Sequence, residues 1–222
     1  MFFAIVSVVG MIAMSGCEKD EQSNLLNGHE WVDLGLYSGT KWATCNIGAN
    51  TPEESGDYFA WGETTTKRTY NWTTYHYCKG DNKSITKYCC DPSYGNNGFT
   101  DNRTILEASD DVATVNWGTG WRMPTKDEMI ELITMCTTSW TVINGVSGRV
   151  FVGPNGNSIF LPASGEYYES EICYAGLGHY WSSSLCGGFS NDAWYLYLNS
   201  KYFDTNYGGR EYGYPIRPVC NE

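Results

Sequence analysis

Helical periodicity is confined to one stretch of this chain, and that limits what its other apolar residues can build. In "PTKDEMIELITMC", residues 124–136, Met129, Leu132, Ile133 and Cys136 recur at spacings of three and four and so share one helix face. Pro124 and Thr125 open it, and Glu128 stands three residues after Thr125, the spacing of a reciprocal capping box. Asp127 and Glu128 also suit the positive end of the helix dipole. Capping and solvation therefore account for Asp127, Glu128 and Glu131 without any acid/base role. Elsewhere alternation dominates. "HEWVDLGL" and "GTKWATCNIG" read as two short strands around Ser38 and Gly39, with Trp31, Leu34, Leu36, Trp42 and Ile47 as the buried set. The apolar runs 140–143, 149–152 and 158–161, separated by "NG" and "PNGN", predict an antiparallel meander. Further strands are expected around "HYWSSS", "AWYLYLNS" and "YGYPIRPV". Residues 50–112 are polar, aperiodic and rich in Thr, Asn, Gly and Tyr, a long irregular excursion with aromatic anchors. The sum is an α+β fold: a twisted antiparallel sheet, at least one packed helix and long irregular loops.

With 41% apolar and 15% aromatic residues, the 222-residue chain can bury a sizeable core, and residues 29–222 are expected to form a single domain. The net charge of -11 repels phosphate backbones, so nucleic acid is not an expected partner. "MFFAIVSVVGMIAMSGC" is an apolar run too short for a comfortable membrane span that ends in small residues. It resembles a bacterial lipoprotein signal peptide over residues 1–16, with Ser15, Gly16 and Cys17 as the lipobox and Met14 where leucine is usual. The following "CEKDE" resembles the lipoprotein export signal of Bacteroidetes. Together they imply a chain lipidated at Cys17, joined to the membrane through that anchor only and displayed on the cell-surface side of the outer membrane. Residues 17–28, polar and ending in Gly28, read as the lipidated cysteine and a linker.

Cys45, Cys78, Cys89, Cys90, Cys136, Cys173, Cys186 and Cys220 remain once Cys17 is set aside. An even number in an exported chain allows disulfides, with buried thiols the alternative, and spacing does not set the connectivity. No C-x-x-C pair occurs, and adjacent Cys89 and Cys90 do not suit one tetrahedral zinc. His29, His76 and His179 lack partners at helical ligand spacing, and no G-x-S-x-G or phosphate loop is present. Neither a metal, a cofactor nor a catalytic residue is assigned.

What stands out is the end of the chain, "AWYLYLNSKYFDTNYGGREYGYPIRPV", with six tyrosines among Asn, Asp, Ser and Gly. Strand alternation sends Trp194, Leu196 and Leu198 to one side of "AWYLYLNS" and Tyr195, Tyr197 and Asn199 to the other. The first side is expected in the core and the tyrosine side in solvent. Tyr202, Asp204, Asn206, Tyr207 and Tyr212 extend the same palette along a following loop, bordered by Phe189, Asn191 and Asp192. Tyrosine supplies a large amphipathic contact with few torsions to freeze, and its small polar neighbours supply adaptable hydrogen bonds. Tyr195 and Tyr197 with these eight residues are the predicted ligand-binding face. The alternative is that the tyrosines cover a sheet edge or fill a minor core.

"GTGWRMPTKDEMIELI", "YWSSS", "AWYLYL" and "YPIRPV", in that order after "EWVDLGLYSGTKWATCNIGANTPEESGDYFAWGET", resemble the Fibrobacter succinogenes major paralogous domain over residues 29–219. The resemblance implies a C-type-lectin-like fold. The C-terminal stretch 181–219 is also similar to the variable region of diversity-generating retroelement proteins. There, scaffold pieces such as Trp181, Ser182, Ser183, Ser184, Ala193, Trp194, Leu196, Arg217 and Pro218 stay fixed while positions between them vary. That similarity implies binding of a protein or glycan ligand on another surface, with a structural or adhesin subunit of a surface assembly as the alternative. The fold is shared with formylglycine-generating enzymes, but their active-site motif does not surround Cys186 or Cys220. The Glu-Pro-Asn and Trp-Asn-Asp triplets of calcium-dependent lectins are missing as well. A non-enzymatic binder is the expectation.

Overall fold

The computed structural model describes residues 24–221, so the expected signal segment and the lipidation expected at Cys17 lie outside the described residues. The described chain is mostly antiparallel sheet with two helices, α1 (Val112–Trp117) and α2 (Lys126–Met135). It opens with β1 (Leu25–Leu26) and β2 (His29–Asp33), paired across Asn27 and Gly28. Both turn residues have positive φ, 50° and 83°, the geometry for which Asn-Gly is suited. The expected linker therefore ends before Leu25, and Gly28 is a hairpin turn rather than a spacer.

β3 (Lys41–Ala43) pairs with β2 on one side and with β12 (Val219–Cys220) on the other, so the two ends of the described chain meet in one sheet. Of the expected last strand only Val219 pairs as a strand, joined by Cys220 just beyond it. The residues before them are held by Arg217, whose Nε donates to Asn46 Oδ1 (2.8 Å) and whose Nη1 donates to the carbonyls of Ala43 and Thr44. Leu34, Leu36, Trp42 and Ile47 are buried as expected, whereas Trp31 is half-buried under Lys41, whose Nζ lies 4.6 Å from its ring centre.

The capping box forms as the spacing predicts: Thr125 accepts from the Glu128 amide and the Glu128 carboxylate accepts from the Thr125 amide. Glu128 also binds the Arg122 guanidinium, and Glu131 binds Ser38, so both acids have structural partners. The meander is β4 (Thr137–Ile143), β5 (Val146–Val152) and β6 (Ser158–Pro162), turning at Asn144–Gly145. A short hairpin follows, β7 (Glu166–Tyr168) and β8 (Glu171–Cys173). The last sheet is β9 (Gly178–Leu185), β10 (Asp192–Leu198) and β11 (Phe203–Gly209), with β10 in the centre.

The excursion is irregular as expected, with one 3₁₀ turn at Asn96–Gly98, but it is tightly anchored. Arg210 is fully buried and donates to the Tyr75 hydroxyl and to the carbonyls of Lys87, Tyr88 and Ser190, at 2.8–3.0 Å. One guanidinium thus supplies donors to backbone that has no ladder of its own. Tyr58, Tyr70, Tyr75, Ile85 and Cys89 form a small separate core there. No disulfide joins the cysteines among the described residues; Cys78, Cys89 and Cys136 are buried in apolar clusters, the thiol alternative.

Candidate functional site: the tyrosine rim

The expected loop after β10 is a strand. Asn199 Oδ1 accepts from the amides of Lys201 and Tyr202, and the Asn199 amide donates to Tyr202 O, which reverses the chain within a few residues. β11 then pairs residue for residue with β10. Its signal was present but faint: Phe203, Thr205 and Tyr207 alternate, with polar residues and two glycines between and after them.

Cross-strand partners share a face, which sorts the ten expected site residues into groups. Leu196 pairs with Thr205, Leu198 with Phe203 and Trp194 with Tyr207. This face packs Leu196, Leu198 and Phe203 with Met129 and Leu132 of α2. Tyr195 pairs with Asn206 and Tyr197 with Asp204 on the opposite face. That face is covered too. Tyr195 is 8% exposed, its ring 5.8 Å from Trp181, 5.5 Å from His179 and 5.1 Å from Tyr214. Burial pushes its phenol up to about 12. The expectation that Tyr195 faces solvent is therefore corrected. Alternation gives a clean inside and outside only when one face is solvated, and this sheet is packed on both.

Trp194 is corrected as well. It is half-buried rather than core, with Lys126 Nζ 3.6 Å from its ring centre and Tyr207 edge-on at 5.3 Å. A register shift between Ala193 and Tyr195 in the pairing with β9 interrupts the alternation at this residue. Tyr207, 42% exposed, stacks on Phe189 (5.6 Å, 16°) and so belongs to the Trp194 side, not with Tyr195. Phe189 is thrown outward because its loop is pinned from within: Ser190 is fully buried and accepts from the amides of Cys90 and Asp91.

The residues that line the rim on the Tyr195 side are Tyr197, Tyr202, Asp204, Asn206 and Tyr212, joined by Tyr168 and Tyr174, which residue patterns did not single out. Tyr202 is 54% exposed, donates to Asp204 Oδ2 (2.8 Å) and lies 6.2 Å from Tyr197. Tyr197 is half-buried and receives Asn199 Nδ2. Tyr212 is half-buried between Tyr168 (5.1 Å) and Tyr214 (6.1 Å). Asn206 is exposed; Asn191 and Asp192 are half-buried at the end of the sheet. Tyr168 and Tyr174 arrive on and just after the β7–β8 hairpin, a proximity set by Tyr167 bridging to Gly213 that strand patterning does not encode.

Beneath the rim lie groups poorly solvated for their charge. Glu211 is 5% exposed, and burial, with Asp192 adding to it, holds its carboxyl up at about 7. Burial also raises Glu166 and Asp192. His179, 3.8 Å from Glu166, is pushed down to about 4 by burial, so the pair is a polar contact at neutral pH. No His/Cys/Asp/Glu group suited to a metal occurs among the described residues. His29 stacks on Trp117 (3.8 Å) and His76 is exposed. A 310 Å³ cleft lined by Glu63, Lys67, Thr74, His76 and Tyr77 lies in the excursion, but Lys67 and the His76 amide already satisfy Glu63. No helix among the described residues is long and apolar enough to cross a membrane. Comparison with family models, curated proteins and solved structures returns no match to the chain.

Proposed function

We propose that this chain is a surface-displayed lipoprotein, held by lipid on Cys17 at the outer membrane, whose C-type-lectin-like domain binds a protein or glycan on another surface without catalysis. The observation that carries it is the rim: Tyr168 and Tyr174 on and after the β7–β8 hairpin, Tyr202 at the β10–β11 turn and Tyr207 on β11 stand 40–64% exposed around a sheet whose central Tyr195 is sealed. Rigid, exposed aromatic rings beside Asn and Asp are costly to leave in water and well suited to recognition. The antiparallel sheet, the one long packed helix and the anchored irregular excursion support the lectin-like reading of the fold. The diversified reading of 181–219 draws support from exposure. Trp181, Ser182, Ser183, Ser184, Ala193, Leu196, Arg217 and Pro218 are buried, whereas Phe189, Tyr202, Asn206 and Tyr207 are exposed. Trp194, half-buried, and Tyr195, buried between two scaffold pieces, depart from that division.

The alternative, a subunit of a surface assembly, has the outer edge of β11 in its favour, since β11 ends its sheet. Size measurement of residues 24–221 separates the two: a monomer supports ligand binding, and spontaneous polymers support assembly. Protease shaving of intact cells is expected to remove the protein, and palmitate labelling to require Cys17; full protection refutes surface display. A neighbouring reverse transcriptase, with a near-copy of the 181–219 coding sequence differing only at template adenines, would establish diversification.

A further inference from the structure

We infer that the tyrosine rim takes a cationic polypeptide segment, with lysine or arginine side chains laid over its rings and between its carboxylates. This rests on the binding reading and names the ligand class of that same face. Between residues 163 and 212 the acids are Glu166, Glu169, Glu171, Asp192, Asp204 and Glu211, against Lys201 and Arg210 as the only strong bases. Arg210 is fully buried, and its donors are taken up by Tyr75 and three carbonyls, so it presents nothing to a ligand. Lys67, which acts on Glu211 from the excursion, is held at 2.9 Å by Glu63. Lys126 and Arg149 also pack on this sheet, but against Trp194 and Phe203 on the face opposite Tyr195, so the field on the Tyr195 side is negative, which draws a positive partner in and orients it.

The rings add a short-range term of the same sign. Tyr168 and Tyr212 lie 5.1 Å apart, and Tyr197 and Tyr202 6.2 Å, so an ammonium or guanidinium group at the rim meets π faces rather than aliphatic surface. Below them is a buried polar atom without a partner. Glu211 Oε2 makes no hydrogen bond, on a side chain 5% exposed. Glycine at 209 leaves room for the Glu211 side chain, since a Cβ there would collide with it. A neutral glycan could stack on the rings but would leave this excess of negative charge unanswered.

The test uses the full chain in nonionic detergent micelles, with a labelled oligolysine, its oligoglutamate counterpart and neutral maltohexaose as probes. Oligolysine is expected to bind saturably and oligoglutamate not at all. Replacing Glu171→Gln with Asp204→Asn is expected to weaken it about tenfold or more, and Tyr168→Ala with Tyr202→Ala similarly. Glu30→Gln with Asp127→Asn removes the same charge from exposed positions of β2 and α2 and is expected to change affinity less than about twofold. Glu169→Gln with Glu171→Gln serves as a second rim variant should Asp204→Asn lower the melting temperature. Equal loss in the remote variant, or no oligolysine binding, overturns the inference. Maltohexaose binding that depends on Tyr168 and Tyr202 overturns it while leaving the binding reading intact. A chain that binds no probe and polymerises overturns both.

Discussion

Tyr195→Ala should unfold the domain more readily rather than silence a binding face. The ring is 8% exposed and is in contact with Trp181, His179 and Tyr214, inside the cluster that also holds Phe59, Trp61 and Ile216. Truncating a buried large aromatic to alanine costs about 3–5 kcal/mol, part in lost transfer energy and part in the cavity left behind. The lower end applies to this site, about 3 kcal/mol, because Gly208 borders one edge of the ring without a side chain, which lets the site collapse partly. At about 2–4 °C per kcal/mol for a domain of this size, the melting temperature should fall by roughly 6–12 °C. Tyr195→Phe keeps the ring and its packing while removing only the hydroxyl, and should melt within about 2 °C of the parent. Tyr202→Ala, at a residue 54% exposed, should cost less than about 0.5 kcal/mol. Differential scanning calorimetry of the four proteins under identical buffer measures all three differences. If Tyr195→Ala melts with the parent while Tyr202→Ala loses several degrees, Tyr195 is not sealed in the core and the facing of β10 and β11 is the reverse.

Arg210→Met keeps much of the volume but strips Tyr75 and three buried carbonyls of their donor, and is expected to cost about 3–5 kcal/mol in urea unfolding. Because those acceptors lie largely in the excursion, limited proteolysis should cut first within residues 63–103; unchanged cleavage refutes the pinning role. Glu211 gives a pH signature. Its folded carboxyl titrates near 7, against 4.5 as its ordinary value, so between those values the native state keeps a proton that the unfolded state has lost. Its contribution is complete below about 4.5, on the order of 3 kcal/mol, and disappears as the pH rises to about 7. Asp110 and Glu128, whose carboxyls are held below their ordinary values by Lys87 and Arg122 against the cost of burial, act in the opposite sense and only in more acidic solution. Glu211→Gln should flatten the decline between about pH 5 and 7 in a series of urea midpoints; an unchanged slope assigns it elsewhere.

Local chemistry made several elements legible from residues alone. The α2 capping box, the Asn144–Gly145 hairpin and the β4–β5–β6 meander are each specified within a few residues of chain, by cap, turn and alternation acting together. The buried set Leu34, Leu36, Trp42 and Ile47 follows in the same way, because large apolar side chains near short strands have few places other than the core. The irregular course of residues 50–112 was also legible up to Val112, where α1 begins, since no period competes there with turn-forming residues.

What residues alone could not decide was which surfaces meet. Alternation in "AWYLYLNS" sorts side chains to two faces but does not say that both will be covered, and the cover over Tyr195 comes from Tyr214, nineteen residues on. β11 escaped notice because its polar composition contributes little toward a strand until β10 offers a ladder, so the pairing and not the propensity makes it. Tyr207 changed sides with its register partner Trp194, and Tyr168 joined the rim through a hairpin more than forty residues before Tyr212. The composition of the chain determined that it would be sheet-rich, aromatic and acidic. Which tyrosines are sealed and which meet a ligand was decided by tertiary contacts, because a tyrosine is equally suited to a core and to a surface, and only its neighbours in space choose between them.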